Sequence, residues 1–184
     1  MRTADGLNVL PYAYIIDRNE GLQPLAEAEA CHLADGVVAA PGVVEGRRVV
    51  RSAETGFVRS GGKLLAKGKT LEEICENIAA LGLTAHRFRV ASEPIPRKRT
   101  GAHRAVRAVA HCIGGTADLR DPLEEFLLVV SDAGFWLIRL SEPGDSKWLA
   151  FVDRPHPFCN ALPLSVGRAV LNLVAKPGDT VYDP

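Results

Sequence analysis

The 184 residues include 47% hydrophobic and 24% charged side chains, enough apolar material for one sizeable core or two small ones and too much for a disordered chain. Lysine plus arginine equal aspartate plus glutamate at 22 each, so the formal net charge is zero and any hold on nucleic acid must come from local clustering of cations. No apolar run is long enough for a helix to span a bilayer, and the four cysteines (Cys31, Cys75, Cys112, Cys159), widely spaced with no C-x-x-C pair or secretory leader, read as reduced thiols of a cytoplasmic protein.

Residues 1–7 form a polar leader that is expected to fray. Residues 8–16, NVLPYAYII, read as a strand, with Pro11 at its start or at a sheet edge. Leu22, Leu25, Ala26, Glu29, Ala30 and Leu33 then recur at helical spacing until Asp35-Gly36 ends the helix. Short β-prone pieces follow at 37–40, 48–52 and 56–59, with Pro41-Gly42, Glu45-Gly46 and Gly61-Gly62 read as the turns between them.

The next helix is announced by Thr70-Leu71-Glu72-Glu73, a capping box, with Leu71, Ile74, Ile78 and Leu81 as its buried stripe and Gly82 as its stop. His86-Arg87-Phe88-Arg89-Val90 alternates polar with apolar as a half-buried strand does. A loop from Glu93 to Gly101, punctuated by Pro94 and Pro96, carries Arg97, Lys98 and Arg99 into a helix expected over 102–113. That helix has two clean faces: Ala102, Ala105, Val106, Val109, Ala110 and Ile113 are apolar, whereas Arg104, Arg107 and His111, with His103 beside them, are basic.

Arg87, Arg89, Arg97, Lys98, Arg99, Arg104, Arg107 and His111 thus make a cationic run opposed only by Glu93, and they are the candidate nucleic-acid-binding residues. Such side chains, fixed by secondary structure, hold a phosphate backbone by Coulomb attraction and counterion release. The alternative is a solvated basic face with no partner. Gly114-Gly115 reads as a turn, Asp118-Leu119-Arg120-Asp121-Pro122 as a loop, and residues 126–130 and 135–140 as a hairpin closed by Ser131-Asp132-Ala133-Gly134.

This order, strand, basic helix with Gly-Gly, Asp-Leu-x-x-Pro and final hairpin, resembles a THUMP domain over about residues 70–140. The tail resembles the same family. Arg154-Pro155-His156-Pro157-Phe158 leads to an amphipathic helix (Leu164, Val166, Ala169, Val170, Leu173 and Val174 apolar; Arg168 and Asn172 polar), stopped by Lys176-Pro177-Gly178. Residues 179–184, DTVYDP, then read as a strand. The segment resembles the start of the methyltransferase domain in THUMP-containing tRNA guanine-N2 methyltransferases, where a Cys-Gly-x-Gly loop that holds S-adenosylmethionine follows the Asp-Pro.

The resemblance implies an α+β chain: a ferredoxin-like domain over 1–62, a THUMP-like RNA-binding domain over 63–145, and a linker with the start of a Rossmann-like methyltransferase domain over 146–184. It implies structured RNA, tRNA above all, as the partner. It also implies S-adenosylmethionine as the cofactor of the full-length family, with Asp183 and Pro184 the first part of an incomplete cofactor motif. Trp148 and Phe158 are read as packing residues. Neither the Gly-rich loop nor an Asn/Asp-Pro-Pro-Tyr/Phe base clamp occurs, so no catalytic residue is assigned and the chain alone is expected to be inactive.

Other chemistries find no support in the residues. G-x-S-x-G is absent, and His32, His86, His103, His111 and His156 make no zinc pattern, so no metal is expected. The alternative functions are a noncatalytic ferredoxin-like module that pairs as a homodimer, or a chain that completes an enzyme with a separate methyltransferase subunit.

Overall fold

The computed structural model describes residues 10–17, 21–95, 101–141, 162–176 and 178–182. Eight strands form one mixed sheet: β1 (Tyr12–Ile16), β2 (Gly36–Ala40), β3 (Val43–Gly46), β4 (Val58–Gly68), β5 (Thr84–Ile95), β6 (Gly114–Ala117), β7 (Glu124–Ser131) and β8 (Gly134–Leu140). Their order is β2-β3-β1-β4-β8-β7-β5-β6. All pairings are antiparallel except those of β5 with β6 and β7. The helices are α1 (Gln23–Ala34), α2 (Leu71–Leu81), α3 (Ala102–Cys112) and α4 (Leu164–Val174), making the chain an α+β protein.

Strand alternation separates two faces. Tyr14 and Ile16 of β1, with Val44 and Val58, meet Ala26, Ala30 and Ala34 of α1 and Ala169 of α4. Phe88, Val90, Phe126, Leu128 and Leu137 meet Ile74 and Ile78 of α2 and Ala105 and Val109 of α3. The alternate residues, Ala13, Ile15, Leu127, Val129, Trp136 and Ile138, line the opposite face. The described helices therefore share one side of the sheet.

The opposite face is curled. The Trp136 indole of β8 donates to Glu45 Oε1 of β3 at 2.8 Å, although β1 and β4 lie between those strands. Arg59 of β4 reaches Glu93 of β5 at 2.5 Å across β8 and β7. Only a strongly coiled sheet brings such strands within side-chain reach.

Several elements match the sequence reading. α1 ends at Asp35, whose φ of 47° is left-handed, and α2 ends at Gly82 with φ 58°. Thr70 accepts the Glu73 N–H at 3.2 Å, as the capping box requires, but Glu73 reaches back to Lys69 N rather than to Thr70. The hairpin of β7 and β8 closes with Ser131 opposite Gly134.

Other expectations need correction. Gly61-Gly62 lies within β4, not in a turn: a Cβ on Gly61 would come within 2.3 Å of Tyr14 Cδ1, and one on Gly62 within 2.1 Å of the Arg139 carbonyl oxygen. Gly114-Gly115 opens β6, where a Cβ on Gly115 would lie 1.9 Å from the Ala85 carbonyl oxygen. Residues 48–52 are not a strand, Ser52 opening a short 3-10 turn over Ser52–Glu54; β3 instead occupies Val43–Gly46, so Glu45-Gly46 is the end of a strand and not a turn. Residues 179–182 form no strand, and Asp179 instead accepts the Lys176 N–H at 2.8 Å.

β5 also runs through Pro94, which pairs with Val130 of β7; among the described residues β6 ends opposite Phe88 and leaves this part of β5 paired on one side only, where a proline is tolerated.

Candidate nucleic-acid interface

α3 is built for two environments. Ala102, Ala105 and Val109 are buried against the sheet, and the helix contains no acidic residue. His103, Arg104, Arg107 and His111 are exposed along the outside of the helix. Their spacing places Arg104, Arg107 and His111 on successive turns, so these side chains form one row along the helix. α2, which packs beside α3, exposes Glu72, Glu73 and Glu76, so the helix layer is basic along one helix and acidic along the next.

The strand arginines are held differently. Arg87 has the left-handed φ of 52° at an irregularity where β5 slips against β6. Its Nε bonds Asp118 Oδ2 at 3.2 Å, and its Nη2 bonds the Asp121 carboxylate and, at 2.6 Å, the Asp121 carbonyl oxygen. The bonds to Asp121 and Asp118 hold the guanidinium above its ordinary pKa. Asp118 in turn accepts the N–H groups of Arg120 and Asp121 at 2.9 and 3.0 Å. The N–H bonds from Asp121 and Arg120 chiefly depress its carboxyl pKa, and Arg87 adds to the effect. Arg87 is thus the post around which the 118–123 loop is wound.

Arg89 pairs with Glu125 of β7 at 2.8 Å. It alternates with Phe88 and Val90, which face α3, so it projects from the other side of the sheet.

The structure therefore brings Arg104, Arg107 and His111 together with His103, and separates them from Arg89. The expectation that Glu93 alone opposes the cations does not hold: Asp118 and Asp121 engage Arg87, Glu125 engages Arg89, and Glu93 is engaged by Arg59. These partners lie 31 to 36 positions away in sequence, beyond the reach of a local charge pattern. Arg97, Lys98 and Arg99 lie outside the described residues, as do Asp183 and Pro184.

α4 docks on α1 through a polar clip that sequence periodicity missed. Glu29 is fully buried and accepts the N–H groups of Gly56 and Phe57 at 2.8 and 3.1 Å and the Asn172 amide at 2.7 Å. Gly56 lets α4 approach, since a Cβ there would lie 2.2 Å from the Ser165 carbonyl oxygen. Of the expected apolar stripe only Ala169 is fully buried, whereas Val170 and Val174 are exposed. Val181 and Tyr182 stand exposed in irregular chain after α4. Among the described residues, no group of three or more His, Cys, Asp and Glu side chains could hold a metal ion, and no helix is long and apolar enough to cross a membrane.

No protein-family model matches the sequence, and no curated protein matches it. Solved structures do. The crystal structure of a predicted N6-adenine-specific DNA methylase from Listeria monocytogenes superposes at a TM-score of 0.50 and 16% identity, covering 90% of this chain and 48% of that one. The likeness is one of fold. TrmN from Thermus thermophilus is similar at a TM-score of 0.49 and 16% identity, over 88% of this chain and 54% of that one. A 4-thiouridine synthetase in complex with RNA and ATP is similar at 0.46 and 11% identity, over 70% of this chain and 40% of that one. The chain spans roughly half the length of these proteins or less.

Proposed function

We propose that this chain is the RNA-binding portion of a THUMP-type, S-adenosylmethionine-dependent tRNA guanine-N2 methyltransferase. It grips structured tRNA on the outer face of α3 and positions it for a catalytic domain. In this reading residues 1–62 are the ferredoxin-like part, 63–145 the THUMP-like part and 146–184 the approach to the methyltransferase domain, all in the cytoplasm. The observation that carries it is the acid-free row of Arg104, Arg107 and His111, exposed on a helix anchored by buried Ala105 and Val109. A rigid cationic row suits phosphate oxygens, which fix register without reading sequence. The shared fold with part of a predicted methylase supports the same reading.

The test is tRNA binding at rising salt. Affinity is expected to fall steeply, and R104A/R107A is expected to reduce the slope of log K against log salt by about 1.5, near 0.7–0.9 for each phosphate no longer neutralised. Salt-insensitive binding, or a slope untouched by the double variant, contradicts the reading.

A second reading, a noncatalytic module that pairs with a copy of itself, is favoured by the edge strand β2, where Val37 and Val38 are 58% and 43% exposed. A concentration-dependent dimer in size-exclusion chromatography, lost in Val38→Lys and unaffected by R104A/R107A, would support it.

A further inference from the structure

The loop after β3 carries Arg47, Arg48 and Arg51, all exposed and none of them part of the row on α3. Its backbone is fixed at two points. The N–H groups of Arg47 and Arg48 both bond the Ala34 carbonyl oxygen, at 2.8 and 2.9 Å, where α1 ends. The Tyr14 hydroxyl donates to the Arg48 carbonyl oxygen and accepts the Val50 N–H, and buried Val50 packs into the cluster beneath α1. The guanidinium groups themselves are loosely engaged. Arg47 lies 3.8 Å from Asp35 and Arg51 3.9 Å from Glu54, exposed pairs that hold weakly in water, and Arg48 makes no ion pair among the described residues.

Strand register puts this loop on the same side of the sheet as α3. Tyr12 of β1 stands opposite Lys63 of β4, Lys63 opposite Arg139 of β8, Arg139 opposite Phe126 of β7, and Phe126 beside Val90 of β5. Directly paired residues share a face, and Tyr12, Phe126 and Val90 all pack toward the helices, so Lys63 and Arg139 stand on that face as well. Lys63 is exposed and makes no ion pair among the described residues, whereas Arg139 is held by Glu124 at 3.0 Å and by the Phe126 ring. A path across the strands at this level runs from α3 over Val90 and Phe126, past Arg139 and Lys63, to Tyr12 and the arginine loop. Between β5 and β1 it crosses four strand spacings, roughly 19 Å at about 4.8 Å each. α2, with its exposed glutamates, lies to one side, over Ala66 and Gly68.

We infer that Arg47, Arg48, Arg51 and Lys63 form a second phosphate-binding surface, which takes the backbone of the same RNA that α3 holds. The inference rests on the RNA-binding reading above and carries it across the sheet. Two cationic patches on one side, set apart by the width of several strands, hold a structured RNA at two points and so fix its direction over the protein, which a single row does not.

The test is tRNA binding at rising salt by R47A/R48A/R51A and by Lys63→Ala, measured beside R104A/R107A. The loop variant should lower the slope of log K against log salt by about 2, near 0.7–0.9 for each phosphate no longer neutralised, and Lys63→Ala by about 0.8. R47K/R48K/R51K should keep the wild-type slope, because neutralising phosphate takes charge rather than a guanidinium fork. D35N/E54Q, which frees Arg47 and Arg51 from their carboxylates, should tighten binding by up to about fivefold at low salt. A slope lowered by R104A/R107A but untouched by the loop variant and by Lys63→Ala would overturn the inference and leave α3 as the RNA site. So would a lysine variant as weak as the alanine one, since that marks a structural role for the loop. Binding that none of the variants alters would contradict the RNA reading and this inference together. Should the alanine variant not fold, D35N/E54Q decides, and its failure to tighten binding overturns the inference.

Discussion

Glu29 of α1 accepts a 2.7 Å hydrogen bond from Asn172 of α4, joining residues 143 positions apart. The buried carboxylate also holds the Gly56 and Phe57 N–H groups, so one side chain ties α1, the 56–57 turn and α4 together. Glu29→Ala should cost about 3 kcal/mol, because it leaves buried donors without acceptors, and Asn172→Ala about 1 kcal/mol. Denaturant melts of both singles and the double variant check this. The double should cost less than the sum, since the two share one interaction.

Two glycines should respond with opposite signs. Gly115 has a φ of 121° and no room for a Cβ beside the Ala85 carbonyl, so Gly115→Ala should destabilise by about 2 kcal/mol or more. Gly167 lies inside α4 with no neighbouring atom within 4 Å of where an alanine methyl would sit, so Gly167→Ala should stabilise by about 0.5–1 kcal/mol. Thermal melts distinguish the two directly.

Tyr14 links β1 to the segment after β3: its hydroxyl donates to the Arg48 carbonyl at 2.7 Å and accepts the Val50 N–H at 2.9 Å. Tyr14→Phe should cost about 1–2 kcal/mol. Burial pushes the Tyr14 phenol up to about 12, despite the Val50 N–H, which lowers it. A folded-state pKa above the ordinary value near 10 means the phenol's contribution is complete below pH ~10 and is lost as pH rises toward 12. Alkaline unfolding of Tyr14→Phe should therefore show a shallower pH dependence than that of the wild type.

The helices were legible because their signals are local. Thr70 and Gly82 bracket α2, and the 3.6-residue alternation of Ala105 and Val109 with Arg104 and Arg107 defines α3. The strand glycines were not legible, since Gly61 and Gly115 are required by backbones that approach from elsewhere in the sheet rather than by a turn in their own segment. Pro94 read as a loop because only the sheet order shows that β5 becomes an edge there. The candidate site was half legible. The row on α3 follows from spacing, whereas the pairing of Arg87 and Arg89 with Asp118, Asp121 and Glu125 depends on which strands meet.

Asp118 caps its own loop and holds Arg87, and both roles need its carboxylate ionised. Its depressed pKa means that the contribution is present above the unfolded value near 3.9 and is lost as pH falls through the lower folded value. Asp118→Asn should melt earlier than the wild type at pH ~7 and lose less on acidification below pH ~4. Paired thermal melts at the two pH values measure it.

Ultraviolet crosslinking of bound tRNA, followed by peptide mapping, asks most directly where the RNA lies. The proposed function predicts crosslinks in the peptides of α3 that carry Arg104, Arg107 and His111, and their loss in R104A/R107A. Crosslinks confined to other elements, or a pattern unchanged in that variant, would contradict it.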